Sequence, residues 1–306
     1  MQGSDLVVIG HFSIDAIHLP SRTEPLVILG GSVAYSSLVT RRLGGSVAVI
    51  SKVGRDFPEA YLCWLEKEGV DLSGVVRLAN EQTTSFELEY SKDLANRTLK
   101  LRNRAPPIDV CDLPYPLKAK TMHLAPIAGE ISYDVAEKLN SCTEVLSLDP
   151  QGLLRSFDAA GNVGFRLPVD KNLLRLINIF KSSQDEIIAL TGCSNLDSAI
   201  KAIHDFGVAT VIVTLGVEGA VLSAERTVYR VPACNSSTVV DPTGAGDVFM
   251  GSFLNEYNRE KDSLWCACVG SAAASLVIEG IGPTFFGEKE EIYQRAWSIY
   301  EKGIKQ

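Results

Sequence analysis

The chain has 306 residues, 46% of them hydrophobic and 22% charged, with a formal net charge of −8 at pH 7. That length suits one large α/β domain, or a main body with an appendage, and the composition supports a sizeable core. Lys and Arg are scattered apart from small groups such as Arg41-Arg42 and Arg102/Arg104, which argues against a nucleic-acid partner, since neutralising phosphates takes clustered cations. No apolar run approaches the ~20 residues that span a bilayer, and Met1-Gln2-Gly3-Ser4-Asp5 lacks the basic-then-apolar order of a secretory signal, so a cytoplasmic protein without a membrane partner is expected.

Seven cysteines stand at 63, 111, 142, 193, 234, 266 and 268, with no Cys-x-x-Cys, and the four histidines are dispersed. Nothing here supports a His/Cys metal centre. Most of these cysteines fall in apolar runs, so buried, reduced thiols are expected. The Asn-x-Ser/Thr sites at Asn96 and Asn235 carry no meaning in a cytosolic chain.

In chain order, Leu6-Val7-Val8-Ile9-Gly10 reads as a strand buried on both faces. Asp15 follows, just past its carboxyl end, where open α/β sheets bind ligands. Gly30-Gly31 precedes a helix that ends near Gly44-Gly45 and permits close backbone approach. Val47-Ala48-Val49-Ile50-Ser51 is a second buried strand. Asp56-Phe57-Pro58 opens a helix with proline in its first turn, Gly69 closes it, and Tyr61, Leu62 and Leu65 form its buried stripe.

Residues 83–104 depart from this alternation. Phe86-Glu87-Leu88-Glu89-Tyr90 and Thr98-Leu99-Lys100-Leu101-Arg102 each alternate strictly around Asp93-Leu94-Ala95-Asn96, which predicts a β-hairpin appendage paired with the stretch after Asp15. Strand and helix signals then resume. Strands are expected at 121–125, 144–148, 177–180 and 209–214, with helices from Ser132 to Asn140, up to Gly192, and over Leu196, Ala199, Ile200 and Ile203 to Gly207. This predicts a mainly parallel sheet with helices on both faces. His123, within an apolar strand, reads as a core histidine. Tyr293, Trp297 and Tyr300 have the spacing of helix packing.

Asp241-Pro242-Thr243-Gly244-Ala245-Gly246-Asp247 carries the chemistry. Its glycines precede a buried helical run, so several backbone N–H groups and the positive end of a helix dipole converge on one point beside Asp247. Asp15, Gly30-Gly31, Asp149, Glu186 and Gly216–Gly219 fall at the same sheet edge. An anion turn with adjacent carboxylates suits phosphoryl transfer to an alcohol, which needs positioning and charge stabilisation more than covalent chemistry. No Gly-Lys pair supplies a Walker A loop. The Gly-x-Gly pairs at 244/246 and 280/282 lack the third glycine of a dinucleotide fingerprint, and no His-Arg-Asp or Asp-Phe-Gly marks a protein kinase.

The stretch Asp241 to Phe249 resembles the C-terminal signature of the PfkB, or ribokinase-like, family of carbohydrate and nucleoside kinases. Gly10, Asp15, Gly30-Gly31, Gly54-x-Asp56, Glu68-Gly69-Val70, Thr214-Leu215-Gly216-x-x-Gly219-Ala220 and Ala272-Ala273-Ala274 match in order over the whole chain. The resemblance implies one ribokinase-like domain over residues 1–306, a three-layer α/β/α fold with a mainly parallel central sheet, and a small β lid from residues 12–27 and 83–105. It implies transfer of the ATP γ-phosphoryl group to a sugar or polyol hydroxyl, with Mg²⁺. Asp247 then matches the base, and Gly244, Ala245 and Gly246 the anion hole. Asp15, Gly30 and Gly31 match acceptor-binding positions. Thr214, Gly216 and Gly219, with Ser183 and Ala273, fall on the nucleotide side. Glu186 would act through water on Mg²⁺, and in some members residues matching Asp241 and Thr243 bind K⁺.

Three departures bear on specificity. Tyr35 stands where the family usually has Asn. Ser183-Gln184-Asp185-Glu186 keeps only the Glu of Asn-x-x-Glu. Asp149-Pro150-Gln151-Gly152, together with residues 83–88 and 99–102, resembles an archaeal-type subset that includes myo-inositol kinases, which places Asp149, Gln151 and Tyr35 at the acceptor. A cyclitol and a nucleoside therefore stand as alternative acceptors, and a non-catalytic sugar or nucleotide sensor as an alternative of another class. The exposed edge of the β lid suggests a homodimer.

Overall fold

A computed structural model describes residues 3–92, 97–165, 169–234, 236, 238–301 and 304–305. Strand β1 (Leu6–Ile9) is buried along its whole length and leads to β2 (Ser13–His18) and β3 (Leu26–Gly30). Helix α1 (Ser32–Arg42), β4 (Val47–Gly54), α2 (Glu59–Lys67) and β5 (Asp71–Leu78) follow, then β6 (Thr84–Tyr90) and β7 (Arg97–Asn103). Next come β8 (Ala119–Leu124), α3 (Tyr133–Asn140), β9 (Thr143–Leu148), α4 (Gln151–Leu154), β10 (Arg155–Phe157), β11 (Val163–Phe165) and α5 (Lys171–Leu174). The last third holds β12 (Ile179–Ser183), α6 (Gln184–Thr191), α7 (Leu196–His204), β13 (Thr210–Thr214), β14 (Ala220–Ala224), β15 (Thr227–Val231), α8 (Ala245–Tyr257), α9 (Ser263–Val277), α10 (Lys289–Tyr300) and β16 (Ile304–Lys305).

The main sheet has the order β16-β15-β14-β13-β12-β9-β8-β1-β4-β5. Strands from β13 to β5 run parallel, and β14 to β16 add an antiparallel edge. Alternate residues face opposite layers. Leu6 and Val8 pack with α1, α2, α8, α9 and α10, whereas Val7 and Ile9 pack with α3, α5, α6 and α7. The expected three-layer α/β/α fold is observed. A second sheet, β3-β2-β6-β7, has antiparallel outer pairs and a parallel β2–β6 centre, and closes over its own cluster of Ile17, Phe86, Leu88, Tyr90 and Ile127.

Several local expectations are corrected. Asp15, expected just past the first strand, lies inside β2, which pairs on both sides. Pro58 is the N-cap of α2, not a residue of its first turn. The strand expected at 177–180 begins at Ile179 and runs to Ser183. Only Cys266 and Cys268 are buried, and all seven thiols are free; Cys63 and Cys111 are exposed. The hairpin turn Asp93–Asn96 and the Asn235 site lie outside the described residues. His123 is a core histidine: it bonds the Ser147 hydroxyl at 3.1 Å, and burial brings its pKa down to about 3. Trp265 gathers Tyr293, Trp297 and Tyr300 into one aromatic cluster. Among the described residues, no helix is long and apolar enough to cross a membrane.

The contact that seats the glycine-rich turn is the crossing of α1 and α8. A Cβ on Gly251 would lie 2.6 Å from the Ser36 carbonyl oxygen and 2.7 Å from a Val39 methyl. Ser36 in turn donates to the Asp247 carbonyl at 3.0 Å, so this close approach fixes the start of α8. Gly251→Ala should cost about 1–3 kcal/mol, the range for overpacking, read as a lower urea midpoint with an unchanged slope. An unchanged midpoint would show that the helices separate freely.

Candidate active site

Helix α8 begins at Gly244, which caps it in the left-handed region (φ 78) that only glycine enters without strain. A side chain there would also overlap the Tyr35 ring, which packs beneath the turn. The first N–H groups of a helix lack intrahelical acceptors; in this turn the Ala245 N–H makes a long bond to the Pro242 carbonyl at 3.4 Å. Asp241 braces the turn from below. It is buried and accepts from the Thr243 N–H (2.9 Å), the Thr243 hydroxyl and the Gly282 N–H (3.2 Å). The Tyr90 hydroxyl of the small sheet bonds the Thr243 hydroxyl at 2.7 Å, joining that sheet to the turn.

Asp247 sits in the first turn of α8, half-buried. The Gln151 amide nitrogen lies 3.3 Å from one of its oxygens and donates to the Ser32 hydroxyl at 2.8 Å. The orientation of that amide is fixed chemically, because its oxygen accepts from the Arg155 guanidinium at 2.8 Å. Arg155 also donates to the Ile127 carbonyl and stacks over Phe86. Burial pushes the Asp247 carboxyl up to about 6, with Asp149 adding to the rise. The Lys181 ammonium, the Ser32 hydroxyl and Arg155 oppose it.

Lys181 projects from β12 to pair with Asp149 at 2.6 Å, and both side chains are buried. Burial alone would lower its pKa, yet Asp149, Asp247 and Glu186 outweigh that and hold the ammonium above its ordinary value. Beside it, Glu186 and Ser183 form a reciprocal cap at the start of α6: the Ser183 N–H donates to Glu186 at 2.8 Å, and Glu186 N–H to the Ser183 hydroxyl.

One cavity faces Asp247. Asp15, Gly31, Tyr35, Gln151, Thr243 and Gly244 line it with Ser13, Ser32 and Arg155, and Phe86, Leu88 and Leu99 cover it from the small sheet. Gly31 (φ 90) caps α1 there. The Tyr35 hydroxyl is buried without a hydrogen-bond partner among the described residues. Burial, then the charges of Asp241, Asp15 and Asp247, push its pKa well up, so it is a permanent proton donor. A larger cavity of about 430 Å³ shares the Arg155 wall and runs along Leu101, Arg104, Tyr133 and Phe157.

Other expected residues fall elsewhere. Gly30 lies under the Asp15 carboxylate, which a side chain there would displace, and not on the cavity wall. Asp149 is the buried ion partner of Lys181 and is not among the residues that line the cavity. Ala273 is fully buried in α9. Thr214, at the end of β13, bonds the Ser182 carbonyl at 3.3 Å. Gly216 and Gly219 flank a single tight turn after it, and Gly219 is held close to the backbone of residues 231–233. Sequence reasoning missed Ser32, Tyr90, Arg155 and Lys181. Of these, Lys181 left a readable signal, a lone charge inside the buried run Ile179-Phe180-Lys181-Ser182. Among the described residues, no cluster of three or more His, Cys, Asp or Glu side chains is placed to hold a metal.

The sequence model described as pfkB family carbohydrate kinase matches residues 4–290. The cytidine kinase of Thermococcus kodakarensis is 27% identical over 281 residues, covering 91% of this chain and 97% of that one. The inositol 3-kinase of Oryza sativa is 28% identical over 90% of this chain and 68% of its own. A solved pyrophosphate-dependent kinase in the ribokinase family, complexed with a pyrophosphate analog and myo-inositol, superposes with a TM-score of 0.80. It is 23% identical, over 94% of this chain and 99% of that chain. With the fold, the turn and a match over nearly its whole length in hand, this chain belongs to the pfkB family of carbohydrate kinases and is a phosphotransferase with an alcohol group as acceptor.

Proposed function

We propose that the protein transfers the γ-phosphoryl group of ATP to a hydroxyl of a sugar or polyol held between Asp15 and Asp247. The observation that carries this is Asp247 itself, a carboxylate pushed up to about 6 at the mouth of the acceptor cavity and beside the helix-capping turn. Backbone N–H groups of Gly244, Ala245 and Gly246 stabilise charge on the phosphoryl oxygens. Asp247 orients the attacking hydroxyl and takes its proton late, as the loose transition state permits. Gln151, held by Arg155, keeps Asp247 aimed. Asp15, Gly31 and the Tyr35 hydroxyl hold the remaining acceptor hydroxyls.

Thr214, Gly216, Gly219 and Ser183 border the donor side. Glu186 suits Mg²⁺ there, a half-buried hard oxygen ligand acting through water, and the ion would neutralise donor phosphate charge. Asp241 already accepts three hydrogen bonds, and a carboxylate has about four lone-pair sites, so Asp241 would lend K⁺ at most one side-chain contact, beside one from the Thr243 hydroxyl. A nucleoside acceptor is the second reading, favoured by the 430 Å³ cavity beyond Arg155, which has room for a base, and by the likeness to a cytidine kinase. The β3 edge of the small sheet, where Val27 is 62% exposed, is where we place a homodimer contact; light scattering that shows a monomer would remove it.

ADP release from ATP with myo-inositol, fructose, ribose, adenosine and cytidine, and phosphate release when pyrophosphate replaces ATP, test the assignment. Fructose, ribose or myo-inositol turnover supports the first reading, and turnover confined to the nucleosides supports the second. Asp247→Asn should lower kcat by about 10²–10⁴, the loss of a general base, while ATP still binds; full turnover would sink the role. In the wild type, kcat/KM should fall tenfold per pH unit below about pH 6, as Asp247 protonates.

The same carboxyl makes a stability prediction of defined sign. Its folded pKa lies above the unfolded value of about 3.9, so the native state binds this proton more tightly and loses stability as pH rises from about 4 to 6. Asp247→Asn should therefore melt higher than wild type at pH 8, with the difference vanishing by pH 4. A variant that melts lower at pH 8 would contradict it.

A further inference from the structure

Gly246 is the second residue of α8, with no positive φ and no turn that requires glycine, and glycine inside a helix is unfavourable. The reason for it is Lys181. A Cβ on Gly246 would lie 2.7 Å from the Lys181 Nζ. In a helix the Cα–Cβ bonds tilt toward the N-terminus, the direction in which the first, unsatisfied N–H groups also point. The ammonium therefore occupies the space in front of the N–H groups of the Gly244–Gly246 turn. A lysine is almost never this buried without an ionic partner, and here that partner is Asp149, at 2.6 Å.

We propose that Lys181 is a further catalytic residue, whose ammonium contacts the phosphoryl group in flight beside the Gly244–Gly246 turn and shares its charge between that group and Asp149. The inference rests on the phosphoryl-transfer reading above. In the step, the acceptor oxygen forms a bond to phosphorus, the bond from phosphorus to the leaving donor oxygen breaks, and the acceptor proton goes to Asp247. Lys181 keeps its proton and forms no covalent bond. Its service is electrostatic: a fixed positive charge, already stripped of water, stands where the equatorial oxygens gather negative charge. Asp149 keeps that ammonium in place and charged before the donor arrives.

The alternative is that Lys181 only neutralises Asp149. Three variants separate the two: Lys181→Met, Asp149→Asn, and both together. Lys181→Met strands a buried carboxylate and is expected to melt lower. The double variant removes the whole pair and should recover most of that loss. Its kcat should stay about 10²–10³ below wild type, as for the loss of one preorganised donor, with the acceptor KM little changed. Asp149→Asn, which leaves the charges of Asp247 and Glu186 to hold the ammonium, should lose much less kcat than Lys181→Met. A folded double variant with near-wild-type kcat overturns the proposal. Equal losses from the two single variants overturn it as well, and that comparison holds even where the double variant fails to fold. Asp247→Asn measured alongside keeps the two readings apart. Full turnover there with the Lys181 losses intact removes the assigned base and leaves Lys181 standing; the converse removes Lys181 alone.

Discussion

Charge balance on a nearly dry sheet edge is the constraint from which the rest of this structure follows. The charge of Asp149 resists ionisation of Asp247, and Lys181 lies within reach of both. An unpaired charge there would cost several kcal/mol. Strand β12 therefore delivers a lysine to this height, β9 leads directly into an aspartate, and α8 carries a glycine at its second position, beside the ammonium. The resulting field sets how readily Asp247 accepts a proton.

Around that core, hydrogen bonds control direction. Arg155 orients the Gln151 amide, Gln151 and Ser32 orient Asp247, and Asp241 holds the turn through Thr243. Glu130 does similar work behind the acceptor cavity. Its buried carboxylate accepts from the N–H groups of His11 (2.9 Å), Ile127 (3.0 Å) and Ala128 (2.7 Å), tying the loop after β1 to the loop after β8. Buried carboxylates in this protein thus act as ion partners, as with Asp149, and as backbone clamps, as with Glu130, and only their partners tell them apart.

The sheet, its layers and the hairpin were legible because buried parallel strands and half-buried hairpin strands leave different periodicities, as in Leu6–Ile9 against Phe86–Tyr90. The glycine turn with Asp247 was legible because its chemistry is local in sequence. Asp149 and Lys181 were not, since 32 positions separate the partners and neither neighbourhood names the other. Arg155 was missed for a related reason: its role passes through Gln151, and a positioning residue leaves no motif. The antiparallel edge β14–β15 went unseen because Ala, Ser and Val there show no clean alternation; both faces of β14 are buried.

The parallel pairing of β2 with β6 bears on how this architecture can change. A parallel pair needs a long crossover, and here the chain passes through α1, β4, α2 and β5 before β6 meets β2. The cover over the acceptor is therefore no self-contained hairpin. Phe86 and Leu88 come from one part of the chain and Asp15 from another, stitched together through the main body. Grafting residues 84–103 from a relative would move one wall of the cavity and leave the wall that carries Asp15 behind. The two walls are encoded in separate stretches of the chain.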